Sequence, residues 1–236
     1  MNEFTLERHR MNIKRLGMAS LLAIAVVGCN NSGQRQVSRS QPPVLAQDNF
    51  ELAKEPAINA ETRFAAGQLA ESRGDFRRAS LQYVQALKLD PNHLKAMNRL
   101  AVVYAMTRQY DQSIEIARRY VNATNRSADA WNNLAQCYEF ANRNDEAEDA
   151  YKSGIAANGT NVPCRVNYGL WLARKDRVDE ARAQMSAVLK PAEVHYNIAS
   201  VLEMQGNKPA AKVEFAKALE ADPTFSDAKK RLAAIE

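Results

Sequence analysis

The chain matches itself at a fixed interval. Residues 74–91, GDFRRASLQYVQALKLDP, can be laid on residues 206–223, GNKPAAKVEFAKALEADP. A glycine, an aromatic residue, an Ala-Leu pair and an Asp-Pro pair fall at the same offsets, 132 residues apart. Between the two stretches the period is close to 34 residues. A period of this length marks one supersecondary unit repeated along the chain, each unit stacking on its neighbours to bury a face it cannot bury alone.

The register places repeats at 60–93, 94–127, 128–161, 162–191 and 192–225. Four have 34 residues and the fourth has 30; the deletion falls near Leu189-Lys190-Pro191, which predicts a shortened turn before the last repeat. Position four holds Trp131 in repeat three and His195 in repeat five. Positions seven and eight, large then small, hold Leu100-Ala101, Leu134-Ala135, Tyr168-Gly169 and Ile198-Ala199, with Ala66-Gly67 in repeat one. Position twenty holds Ala79, Ser113, Ala147, Ala181 and Ala211; position twenty-four holds Tyr83, Ala117, Tyr151, Met185 and Phe215. This arrangement resembles the tetratricopeptide repeat, and the resemblance covers 60–225 residue by residue.

The resemblance implies an all-α fold: a right-handed α-solenoid of about five helix pairs. In each pair, small residues at positions eight and twenty let the helices approach, and larger ones fill the space around that contact. Gly74 and Gly206 are expected to close a first helix in a left-handed conformation, with Asp75 and Asn207 capping the second. Residues 226–236, SDAKKRLAAIE, have an apolar side at Leu232 and Ile235 and are expected to form a capping helix.

Residues before the array read as an address and a tether. Residues 16–28, LGMASLLAIAVVG, follow Lys14 and Arg15 and are too short for the roughly 20 residues a membrane span needs. They end in Val26-Val27-Gly28-Cys29, which resembles the bacterial lipobox. That resemblance makes 1–28 a lipoprotein signal peptide and Cys29 the first mature residue, carrying palmitate or related acyl chains. Several chains anchor stably, at about 0.8 kcal/mol per buried CH₂. In the lipoproteins this box resembles, a residue other than Asp after the cysteine favours the outer membrane, so Asn30 implies an anchor there, facing the periplasm. Residues 29–48 then form a flexible linker with a reach of roughly 24 Å, and the array begins at 49. Met11 is an alternative start to Met1.

Composition closes off other classes. Residues 1–28 hold four basic and two acidic side chains, so removing them lowers the formal charge from +5 to +3. No run of five or more basic residues occurs, so the footprint of a nucleic-acid binder is missing. His9, His93 and His195 lie far apart in the register, and no zinc, Walker or nucleophile-elbow spacing is present. Cys137 and Cys164 are expected about 10 Å apart along parallel helices, beyond disulfide reach. Asp145-Glu146 and Asp179-Glu180 open second helices, where carboxylates suit the helix N-terminus. The expectation is a protein that is not an enzyme and has neither cofactor nor small-molecule substrate.

In tetratricopeptide proteins the first helix of each pair lines a concave groove. Position six holds Arg99, Asn133, Asn167 and Asn197; position five adds Asn98, Asn132 and Tyr196, and position nine adds Gln136. A carboxamide offers two donors and two acceptors, so a ladder of them can hold an extended peptide backbone whatever its sequence. Val102, Val166 and Leu170 are expected to take side chains. The chain is therefore expected to be a membrane-anchored scaffold for protein or peptide partners. It resembles the small tetratricopeptide lipoproteins of pilus assembly, of the tight-adherence or the type IV pilotin kind. The alternative is an adaptor that recruits cell-wall enzymes or serves outer-membrane protein insertion.

Overall fold

The computed structural model describes residues 58–235, and every regular element among them is an α-helix. The signal peptide, Cys29 with its linker, and residues 49–57 of the array lie outside the described residues. Repeat one is α1 (Ala60–Ser72) and α2 (Phe76–Leu89); repeat two is α3 (Leu94–Met106) and α4 (Tyr110–Ala123). Repeat three is α5 (Ala128–Phe140) and α6 (Asn144–Ala157); repeat four is α7 (Val162–Arg174) and α8 (Val178–Ser186). Repeat five is α9 (Pro191–Met204) and α10 (Lys208–Ala221), followed by α11 (Ser226–Ile235). The first helices of repeats two to five pack one against the next, so they form the inner row of the solenoid.

The turn inside each repeat needs a left-handed residue. Gly74 and Gly206 supply it at φ 77° and 82°, where glycine meets no Cβ penalty. Asp75 then accepts from the Arg78 amide at 2.9 Å, and Asn207 from that of Ala210 at 3.3 Å. The equivalent positions in the other three repeats are Arg108, Asn142 and Asp176, all at positive φ. Asn and Asp tolerate this conformation; Arg108 does so at a cost.

Small residues set the distance between paired helices. Ala79, Ser113, Ala147, Ala181 and Ala211 at position twenty are all fully buried. Ser113 satisfies its hydroxyl by donating to the Ala101 carbonyl at 2.7 Å. A Cβ on Gly67 would stand 2.4 Å from the Tyr83 ring, and one on Gly169 would stand 2.7 Å from Met185 Cγ. In repeats one and four, glycine at position eight leaves room for the side chain at position twenty-four. The apolar core runs as two clusters, bridged by Ile116 and Tyr120.

One sequence expectation is modified, and two residues at position four pack less than that position does in repeat two. The deletion in repeat four shortens a helix, not a turn. α8 has 9 residues where the other second helices have 14, while the link 187–190 keeps the four residues of link 158–161. Leu189 in that link still packs on the core, at the position that Leu87, Val121, Ile155 and Leu219 hold in the other repeats. Trp131 is only half-buried, although Met97 at the same position is 2% exposed. His195 also stays at the edge of the packing, its Nδ1 2.7 Å from Glu214 Oε2.

The last helix is more than a lid. Arg231 of α11 pairs with Glu203, 28 residues earlier, as Arg99 pairs with Glu71. Both arginines occupy position six of their unit, so α11 is built as the first helix of a sixth unit. Ala228 is buried, and Leu232 and Ile235 pack against repeat five.

Candidate protein-interaction groove

The inner row brings the asparagines together, but largely onto one another. Asn167 donates from Nδ2 to Asn132 Oδ1 at 2.9 Å, and Asn133 donates to Asn98 Oδ1 at the same distance. Asn132 reaches Asn133 Oδ1 through a longer contact of 3.4 Å. The result is a directional chain of amides, Asn167 to Asn132 to Asn133 to Asn98, running through repeats four, three and two. Position six of one repeat meets position five of the repeat before it, 35 residues back.

Accessibility divides the expected groove residues into two sets. Asn132 and Asn167 are 1% and 8% exposed, Gln136 is 8%, and Val102 is 2%. These are wall, not lining, and the expectation of Val102 as a side-chain pocket does not survive. Gln136 reaches back to the Asn132 carbonyl at 3.5 Å. Asn98, Asn133 and Asn197 are half-buried, as are Val166 and Leu170. Asn197 has no partner among the described residues, because position five of repeat four is Val166 and offers no acceptor. Tyr196 turns away from the amides and packs on Phe215 and Phe225, at 5.6 and 5.0 Å between ring centres. Its position faces the following unit, which here is the cap.

Arg99 is held by Glu71, which takes Nε at 3.2 Å and a second guanidinium nitrogen on its other oxygen. Tyr83 donates its hydroxyl to the same carboxylate at 2.6 Å. The pattern returns two repeats on, where Glu139 accepts from Tyr151 and Arg174. Burial, followed by the neighbouring carboxylate, pushes both phenols well above the ordinary tyrosine range. Glu71, Glu139 and Glu203 all occupy position twelve of odd-numbered repeats, each paired with an arginine of the next unit. Sequence reasoning passed over them, though the same register that found the asparagines would have aligned them.

Other candidate chemistry is structural. Cys137 and Cys164 are free and buried, and burial raises their thiols to about 11 and about 12. Nucleophilic thiolate needs the opposite shift. His93 caps α3, accepting from the Ala96 amide at 3.1 Å while its other nitrogen meets Glu61. Asp145-Glu146 and Asp179-Glu180 lie in first turns of second helices, as expected.

Tetratricopeptide repeat patterns match residues 64–128, 128–161 and 192–225, together more than half of the chain. Over 126 residues the chain is 27% identical to the general transcriptional corepressor trfA of Dictyostelium discoideum, covering 52% of this chain and 9% of that one. It spans about a tenth of the length of the curated relatives it matches. The tetratricopeptide protein TTC0263 of Thermus thermophilus has a similar structure, with a TM-score of 0.55 and 22% identity over 75% of this chain and 98% of that one. A structure of pilF from Pseudomonas aeruginosa gives 0.52 and 17%, over 72% and 79%. At these identities the likeness is one of fold. On the matched repeats and on the geometry of its helix pairs, the chain belongs to the tetratricopeptide repeat family.

Proposed function

We propose that this protein is a lipid-anchored scaffold that holds an extended segment of a protein partner along its inner row, in the assembly of a pilus or secretion machine. The observation that carries the reading is the amide chain from Asn167 to Asn98. Each internal bond uses one donor and one acceptor, so every amide keeps a second donor and a second lone pair. Asn98, Asn133 and Asn197 are accessible enough to offer theirs, and Val166 and Leu170 supply apolar contact between them. Directional pairing fixes the amides before a partner arrives, which lowers the ordering cost of binding.

The anchor rests on the Val26-to-Cys29 box. Labelled palmitate should enter the native chain and not the Cys29→Ser variant; incorporation into the variant would remove the anchor from the reading. The pilus assignment rests on the resemblance to small tetratricopeptide lipoproteins and is compatible with the fold shared with pilF. Its test is capture from solubilised envelopes by the native chain and by a variant with Asn98, Asn133 and Asn197 changed to Ala. Recovery of secretin or pilin components by the native chain alone supports it. Recovery of cell-wall enzymes or of outer-membrane insertion proteins would favour the adaptor role instead. Equal capture by both chains would move the binding site out of the inner row.

A further inference from the structure

Position four of each first helix stands opposite position twenty-three of its own second helix, and four repeats fill the space between them. Arg63 donates to Gln82 at 3.1 Å, Arg165 to Gln184 at 2.8 Å, and His195 lies 2.7 Å from Glu214. In repeat two the residue at position twenty-three is Ile116, which packs on both core clusters. Repeat three departs from this rule. Opposite Trp131 stands Ala150, 3% exposed and too short to cover an indole.

The gap is a cavity of about 400 Å³ between α4 and α6, with α5 as its floor. Trp131, Leu134 and Tyr138 of α5 line it. Arg118, Glu146 and Asp149 stand around them. Arg118 is engaged, donating from Nε and Nη2 to the Tyr138 hydroxyl at 3.0 and 2.7 Å. Glu146 is ion-paired with Arg143. The Asp149 carboxylate has no hydrogen-bond or ion-pair partner among the described residues.

From this we infer that the cavity is a second binding site, independent of the inner row, for a cationic side chain of a partner, lysine or arginine. Its aliphatic stem would lie on Leu134 and the indole, with the charge over the Trp131 face and toward Asp149. Tryptophan is the strongest aromatic partner for a cation, and the site already holds the free carboxylate. An acidic side chain would meet two carboxylates, Glu146 and Asp149, against the one guanidinium of Arg118. A purely apolar one would gain nothing from Asp149, which is exposed to solvent.

The test uses tryptophan fluorescence of the full-length chain. The chain has two tryptophans, and Trp171 is 4% exposed, so Trp131 reports on the cavity. Hexylammonium, hexanol and hexanoate are titrated in turn. The expected result is a saturable change in emission, tightest for hexylammonium and lost in Trp131→Phe. Asp149→Asn should weaken hexylammonium by about two- to fivefold, the range of an exposed ion pair, and leave hexanol unchanged. Ala150→Ile supplies the side chain of repeat two and should abolish the response while keeping or raising the melting temperature, so that a lost signal is not mistaken for misfolding. Changing Asn98, Asn133 and Asn197 to Ala should leave the response intact, which separates this site from the groove. Hexanoate or hexanol binding as tightly as hexylammonium, an unchanged response in Ala150→Ile, or no saturable response would overturn the inference.

Discussion

Asn167 and Asn132 are bonded to each other across a repeat boundary, Nδ2 to Oδ1 at 2.9 Å, with both side chains buried. Removing one leaves the other's polar group without its partner in a site water cannot easily enter. Asn167→Ala should therefore cost about 1–3 kcal/mol of stability. Asn197→Ala, which breaks no bond among the described residues, should stay within about 0.5 kcal/mol. Denaturant melts of the two variants read this directly. Equal stability would mean that the Asn167–Asn132 pair carries no structural weight.

Gly169 sits where helix α7 crosses α8. An added Cβ would lie 2.7 Å from Met185 Cγ and 3.1 Å from the Ala181 carbonyl oxygen. The methionine can swing aside, but the backbone carbonyl cannot. Gly169→Ala should destabilise by about 1–3 kcal/mol, the usual range for overpacking. On a Met185→Ala background, itself destabilised by the cavity it leaves, the added cost of Gly169→Ala should shrink by the part due to the side chain. A Gly169→Ala chain as stable as the native one would show that α8, the short helix, moves freely.

Arg108 holds φ 63° at the position where repeats one and five use glycine. A left-handed conformation costs a side-chain-bearing residue roughly 1–2 kcal/mol, offset in part by the greater freedom of glycine in the unfolded chain. Arg108→Gly should raise stability by about 0.5–1 kcal/mol. Arg108→Asn should give a smaller gain in the same direction, and thermal melts will rank the three.

Glu148 ties repeat three to repeat four. It accepts from Arg177 at 2.8 and 3.0 Å and from the Tyr168 hydroxyl at 2.8 Å. The Arg177 hydrogen bond, with help from Lys152 and Tyr168 and against the effect of burial, holds its carboxyl at about 2, below the ordinary 4.5. A folded-state value below the unfolded one means stability that is present above pH 4.5 and lost as the pH falls toward 2. The contribution is about 1–3 kcal/mol by linkage. Glu148→Gln should flatten the fall in melting temperature over that window while lowering stability at neutral pH. An unchanged pH profile would remove Glu148 from the acid response.

Much of this architecture was legible before the fold was known. The 34-residue period, the small residues at positions eight and twenty, and Gly74 and Gly206 each have a local cause, a helix crossing or a left-handed turn. Register alone was enough to place them. It also aligned Asn133, Asn167 and Asn197 on one side of the first helices, and it would have aligned Glu71, Glu139 and Glu203 had carboxylates been sought. Register could not say what those side chains meet. From the sequence, the amides were a free ladder and Tyr196 stood beside them; in the fold, four amides bond in series and Tyr196 packs under the cap.

What the sequence determined by itself is therefore the identity of the unit, its period and the helix each residue belongs to, because helical periodicity is a property of neighbouring backbone. What only the tertiary structure decided is pairing: Asn167 with Asn132, Arg99 with Glu71, Trp131 with a gap above Ala150. It also decided that the missing residues of repeat four would come out of α8. These depend on how far one helix slides and tilts against the next. That stagger is set by the sum of many weak side-chain contacts between segments roughly 20 to 35 residues apart, and no local pattern carries it.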